Sequence, residues 1–411
     1  MKNSKNMMQE IMRTRGLGLK FNPFRLRAGG LNDEELAAVF VGREDELKRL
    51  TRAAASRMNV FLHGTYGIGK SALLRCFLYR IAQLRDTKVA AFYTRFVGES
   101  EEDFLNAVAY ALATRFKEEN REAKSLYDKM TGTEVVEEKA AGTSVEAGLI
   151  FKGGGSYTAT TGKHAVTELS NPHLAACVQK MAENKNYMAV IIGVDELDKR
   201  SPRDFNGLVM KTRYLLEYQA SYIIIGAHSF LGMPAVSTQA GAFDRRIEVS
   251  TMSENELAEL GKNYCKLAGN NPFEDEALEK LAGCSLGVPR VMVSLCGGVI
   301  DGAIDLGFNE ISETNIDRAF GAVGSSIYGA LTPAQRKVVD YIRVRGEELG
   351  AVDRRTEKDL SVTKSAVYQH IDTLLSLDAI VEVLEEPEGR AWRLNPAVAA
   401  YLKSRGVKSE R

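Results

Sequence analysis

The residues with the plainest chemistry are Gly64-Thr65-Tyr66-Gly67-Ile68-Gly69-Lys70-Ser71. Glycines at this spacing let a loop turn tightly and aim successive backbone N–H groups inward, where they close around an anion. The segment follows an apolar run, Val60-Phe61-Leu62-His63, and opens a helical pattern, so a helix N-terminus adds a dipole favourable to phosphate. In such a loop Lys70 reaches the β and γ phosphates of a nucleotide, Ser71 holds Mg2+, and Ala72 continues the cradle into the helix. A second group is Val190-Ile191-Ile192-Gly193-Val194-Asp195-Glu196. A strand that ends in two acids presents one carboxylate, Asp195, for Mg2+ through water, and a second, Glu196, to polarise an attacking water. Two acids after a strand are a weak pattern alone. Downstream of a phosphate loop they predict ATP and Mg2+ as cofactors and hydrolysis of ATP to ADP and phosphate as the reaction.

These groups need a scaffold that brings strand ends together. Short apolar runs at 60–64, 89–96, 188–194, 222–226 and 247–249 read as buried strands, separated by helical patterns at 71–84, 101–116, 165–183 and 204–219. Such alternation predicts an α/β fold with a parallel sheet between two helical layers. From 253 to 324 only helices are expected, at 254–267, 274–281, 289–304 and 313–323, with Pro289 suited to a first helical turn. Thr332-Pro333 opens a further unit with helices at 333–344, 356–360 and 363–377, then two alternating runs at 380–384 and 391–394. Three helices and a hairpin is the order of a winged helix. The domain expectation is therefore a basic extension (1–30), a nucleotide-binding core (31–251), a helical lid (252–328) and a winged helix (329–411). Within the core, residues 143–161 alternate around Gly153-Gly154-Gly155 and predict an inserted β-hairpin, with Lys152 and Tyr157 beside its tip. Such a tip suits a nucleic-acid strand or a partner surface, or it merely covers an apolar patch.

The 411 residues carry no net charge, which argues against a generic polyanion binder. Locally the balance shifts: Lys2, Lys5, Arg13, Arg15, Lys20, Arg25 and Arg27 face only Glu10 in the first thirty residues. The five cysteines are scattered and most sit among apolar neighbours, as buried thiols in a reducing cytoplasm would. No apolar run reaches membrane-spanning length, and no signal peptide is evident.

Phe40-Val41-Gly42-Arg43-Glu44-Asp45-Glu46-Leu47, the phosphate loop, Asp195-Glu196-Leu197-Asp198 and Gly287-Val288-Pro289-Arg290 together resemble the AAA+ ATPase superfamily. The pattern is similar to archaeal origin-recognition initiators and to ATPase regulators of transposition, and its Gly-Arg-Glu lead is shared with STAND signalling ATPases. The resemblance implies that Val41 and Gly42 lie against the adenine and that Arg290 is the sensor 2 residue at the γ phosphate. It implies that Ser229, or its neighbour His228, stands at sensor 1, where initiators usually carry Asn. It also implies that Arg245 or Arg246 is an arginine finger acting on the next subunit of a homo-oligomer. STAND proteins generally lack that finger and the sensor 2 arginine, so candidates for both favour the initiator-like side.

In the winged helix, the helix at 363–377 holds the recognition position. Lys364, Ser365, Tyr368 and Gln369 near its start are candidates for base or phosphate contacts, and Arg354, Arg355 and Lys358 for backbone phosphates of duplex DNA. Glu385, Glu386 and Glu388 at the wing tip would repel DNA, which leaves protein docking as the rival use of this module.

Overall fold

The structure, a computed structural model, describes residues 16–25, 30–84, 88–96, 98–118, 120–131, 171–184, 187–217, 220–237, 241–350, 352–385 and 389–405. The hairpin expected at 143–161, most of the basic extension, and Glu386 and Glu388 lie outside them. The chain divides into two compact units.

One unit spans Asp45–His63 and Phe77–Ile247. Its sheet contains β1 (Val60–His63), β2 (Val89–Arg95), β3 (Ala189–Asp195), β4 (Ser221–Ile225) and β5 (Arg245–Glu248), in the order β2-β3-β4-β1-β5. The pairs β2–β3, β3–β4 and β1–β4 are parallel, with Val194 opposite Ile224 and Leu62 opposite Ile225. Near-continuous Val, Ile and Phe runs make this possible, because a parallel sheet is covered on both faces. The core gathers Phe61, Phe205, Phe230, Phe243 and Ile224 with the helix Glu101–Phe116. Gly226 ends β4 without a side chain because a Cβ there would lie 2.2 Å from the Phe61 ring.

Asn59 fixes the entry to β1. Its side-chain amide donates to the carbonyls of Leu216 and Ala242, and its Oδ1 accepts the Tyr222 N–H at 3.0 Å. Buried polar groups persist when satisfied in this way.

The helix expected at 204–219 breaks into Pro202–Lys211 and Arg213–Leu216, where Thr212 turns its hydroxyl back onto the Leu208 carbonyl at 3.0 Å. Side-chain competition of this kind bends helices. The last strand begins at Arg245, so Arg245 and Arg246 sit on β5 rather than before it.

The other unit holds the described residues of Met1–Glu44, Gly64–Cys76 and Glu248–Arg411. Its helices include Glu254–Leu267, Asp275–Cys284, Pro289–Leu306 and Ile316–Ala330. Local chemistry sets their ends. Ser253 and Glu256 form a capping box, Pro289 occupies the first turn, and Gly307 closes its helix in the left-handed region at φ 74°.

The C-terminal elements follow as helices Pro333–Val344, Arg354–Leu360 and Lys364–Ser376, then β7 (Ile380–Glu385) and β8 (Gly389–Leu394), three helices and a hairpin. A two-residue strand, β6 (Glu348–Leu349), completes an antiparallel sheet ordered β6-β8-β7, and helix Pro396–Ser404 ends the described chain. Gly324 lets helix Ile316–Ala330 meet this last helix backbone to backbone: a Cβ there would lie 2.0 Å from the Ala397 carbonyl oxygen. Gly324→Leu should therefore cost about 1–3 kcal/mol of stability by overpacking, read as a lower denaturant midpoint.

Three of the five cysteines, Cys76, Cys265 and Cys296, are buried as expected, while Cys177 and Cys284 are half-buried. Burial pushes Cys265 up to about 12 and Cys296 well above the ordinary thiol value. Among the described residues no helix is long and apolar enough to cross a membrane.

Candidate functional site

Because β1, β3 and β4 run parallel, their carboxyl ends share one edge of the sheet. That edge carries His63, the pair Asp195 and Glu196, and the short helical turn His228–Phe230. In open α/β sheets ligands bind beyond this edge. The phosphate loop leaves β1 from it at Gly64.

Asp195 is the last residue of β3 and is buried. Its Oδ1 accepts the Glu196 N–H at 2.7 Å, and its Oδ2 accepts the Tyr93 hydroxyl at 2.5 Å. Tyr93 stands two residues before the end of β2 and receives the Arg95 guanidinium N–H at 3.3 Å. Burial, reinforced by the Asp195 charge, pushes the Tyr93 hydroxyl far above its usual range, so it remains a donor.

Glu196 has φ 73°, a left-handed conformation that costs a non-glycine residue on the order of 1 kcal/mol. Strain of this kind concentrates at functional positions. Its carboxylate is paired with the Lys199 ammonium. A buried, oxygen-only carboxylate with a fixed orientation fits a hard cation such as Mg2+, held directly or through water. Tyr93 is then a positioning group for the expected metal ligand. Tyr93→Phe should raise the Mg2+ concentration needed for half-maximal nucleotide binding about tenfold, measured by titration, and leave the fold intact.

At the sheet edge, Ser229 is exposed, while His228 is half-buried with its ring edge-on to His63 at 5.3 Å. Arg246 is half-buried, and its Nε donates to the Val236 carbonyl at 2.9 Å; Arg245 is exposed.

The phosphate loop has the backbone its sequence demands. Gly67 and Gly69 take φ 81° and 100°, and a Cβ on Gly67 would lie 3.0 Å from the Arg290 Cβ. Helix Lys70–Ala82 starts within the motif, leaving Ser71 exposed and Ala72 half-buried. Lys70 Nζ donates to the carbonyls of Gly64 and Thr65, at 3.0 and 3.1 Å, which curls the ammonium over its own loop. The loop is braced by Arg43, which is buried: one guanidinium nitrogen donates to the Ile68 carbonyl at 3.0 Å and another to the Ser250 carbonyl.

Val41 and Gly42 precede that arginine. Val41 is half-buried against the helical core, and Gly42, at φ 67°, lies so close to Glu256 that a Cβ would meet its carboxylate at 2.2 Å. Arg290, in the first turn of helix Pro289–Leu306, donates its backbone N–H to the Gly67 carbonyl at 3.3 Å, so the sensor 2 candidate and the phosphate loop are joined.

The C-terminal candidates divide. Arg354, Lys358, Lys364, Ser365 and Gln369 are exposed. Tyr368 packs edge-on against Trp392 at 5.8 Å, and Arg355 pairs with Asp359 at 3.8 Å. The Lys364 N–H donates to Glu357 at 2.6 Å.

Sequence reasoning gave no role to Tyr93, Lys199 or Arg43. Only Arg43 had a signal, its place in the Gly42-Arg43-Glu44 lead; the other two act through contacts that spacing does not encode.

Residues 39–205 match the family model of the AAA ATPase domain. No curated protein matches the chain in sequence. Similar solved structures include the Orc1 protein of Aeropyrum pernix in complex with DNA, at 16% identity over 89% of this chain and 93% of that one, TM-score 0.47. Another is a Walker-type ATPase of Pyrococcus abyssi, at 14% identity over 89% and 96%, TM-score 0.49. A third is the RuvB Holliday junction branch migration motor of Thermotoga maritima, at 16% identity over 89% and 95%, TM-score 0.42. With its phosphate loop and its acidic strand end both inside the matched segment, the chain carries an AAA ATPase domain over residues 39–205.

Proposed function

We propose that this chain is an ATP-hydrolysing switch that assembles into a homo-oligomer when it binds ATP, and that it acts on duplex DNA. The observation that carries the reading is the acidic strand end: Asp195 buried and oriented by two donors, and Glu196 held in a strained conformation beside it. In this reading the loop Gly64–Ser71 and Arg290 bind the phosphates, and Val41 and Gly42 flank the base. Ser71 and Asp195 would hold Mg2+, which would supply positive charge to the phosphates, while Glu196 orients and deprotonates water and Ser229 or His228 senses the terminal phosphate. Lys199 pairs with Glu196 and would have to yield for the carboxylate to act as a base. Measured release of phosphate from ATP tests the reading, and stimulation of that release by duplex DNA tests its second half.

DNA contact rests on the exposed Arg354, Lys358, Lys364, Ser365 and Gln369. Acidic neighbours such as Asp359 and Glu357 limit the net positive field, so the salt dependence of binding should correspond to only about three to five phosphate contacts. Arg354→Ala with Arg355→Ala and Lys364→Ala should weaken an electrophoretic shift without changing the melting temperature. A shift that the triple variant leaves intact places the contact elsewhere, and no shift at all for either chain counts against DNA as the partner.

A further inference from the structure

Strand β7 puts a carboxylate inside the protein. Glu382 is only 5% exposed, and a buried carboxylate is costly unless donors meet it. One donor is the backbone N–H of Tyr66, which gives its hydrogen to Glu382 Oε2 at 2.8 Å. Tyr66 is the third residue of the phosphate loop. Just before the same strand, Asp378 turns the chain in the left-handed region at φ 55° and accepts the Arg290 Nε–H at 2.8 Å. The Ser376 carbonyl takes a second guanidinium hydrogen at 3.3 Å, and the guanidinium lies 4.7 Å above the Tyr66 ring. Two carboxylates of the C-terminal module thus engage an N–H of the loop and the arginine beside it. In the reading above, the loop and Arg290 are the groups that bind the phosphates. Carboxylate and phosphate oxygens are alike to these donors: anionic, acceptor-only and suited to charge-assisted hydrogen bonds.

We propose that Glu382 and Asp378 form an internal anion that competes with the terminal phosphate of ATP, so that the C-terminal module stays latched to the phosphate loop until ATP displaces it. The inference rests on the reading above that Gly64–Ser71 and Arg290 bind ATP. It gives these two carboxylates a use that DNA contact does not. A latch of this kind reduces apparent ATP affinity by the fraction of chains that are open. It discriminates between nucleotides, because ADP lacks the phosphate that Arg290 would meet.

The test compares wild type with Glu382→Gln/Asp378→Asn. The pair is nearly isosteric, and Asn tolerates the left-handed turn at position 378. Glu382→Ala/Asp378→Gly, which removes the acceptors altogether, serves as the second variant. Hydrogen exchange at the Tyr66 amide is followed without nucleotide, and fluorescent ATP and ADP are titrated into each chain. The expected result is faster exchange at Tyr66 and ATP binding about tenfold tighter or more, with a smaller gain for ADP, the size that losing a charge-assisted bond implies. Unchanged exchange at Tyr66 in both variants overturns the latch, as does faster exchange with no gain in ATP affinity. If no chain binds either nucleotide, the ATP reading falls and the competition falls with it. If wild type binds ATP and the variants bind it equally well, only the latch falls.

Discussion

Replacing Arg245 with alanine should lower ATP turnover about a thousandfold while leaving nucleotide affinity close to that of wild type. An arginine finger acts on the site of the next subunit, so it must stand outward and reach. Of the two adjacent candidates on β5, Arg246 has its guanidinium anchored on the Val236 carbonyl of its own chain, whereas Arg245 is exposed. Arg246→Ala should lose packing at the sheet edge and cost far less activity. The same assignment makes turnover per subunit rise with wild-type concentration, because the finger is supplied only on assembly. The Arg245→Ala chain should show a flat dependence at a low rate. A wild-type monomer whose rate per subunit is independent of concentration would remove Arg245 from the mechanism.

Glu196→Gln should turn ATP over at least about a hundredfold more slowly and still bind it. The amide keeps the size and shape of the side chain but cannot take a proton from water. Lys70→Ala is the useful contrast, because it removes a phosphate contact and should weaken binding itself. Glu196 is partnered by Lys199, so Lys199→Ala separates the two effects: it frees the carboxylate without altering it. A Glu196→Gln chain that hydrolyses at the wild-type rate would rule out this residue as the base.

What could be read from the sequence was whatever chemistry writes locally. The phosphate loop is a contiguous run whose glycines are dictated by backbone angles, and Asp195-Glu196 ends a strand whose apolar run is visible by itself. The strands at 60, 89, 188 and 222 were legible for the same reason, to within a residue or two. Helices Glu44–Ala55 and Arg121–Thr131 have no counterpart in the expectations, since both are dominated by charged residues and show only a narrow apolar face. The start of β5 was displaced because Arg245 and Arg246 look like loop residues, although the backbone there is extended. The contacts that shape the site were out of reach altogether. Tyr93 meets Asp195, Arg43 meets Ile68, and Glu382 meets Tyr66 across 102, 25 and 316 positions of chain. No periodicity carries information over such distances.

The strand that launches the phosphate loop also bears on how the protein is born. β1 lies between β4 and β5 in its sheet, and its parallel neighbour β4 lies 163 residues later, with Tyr222 reaching back to Asn59 across that gap. At ribosomal rates of about 5–20 residues per second, β4 is made roughly 10–30 s after β1. Throughout that interval Val60, Phe61 and Leu62 have no neighbour on that side, and parallel pairing between remote strands is intrinsically slow. The first fifth of the chain therefore leaves the ribosome with an apolar strand still unpaired on one face, and the sheet edge that carries Asp195 is completed only once β4 has docked beside it.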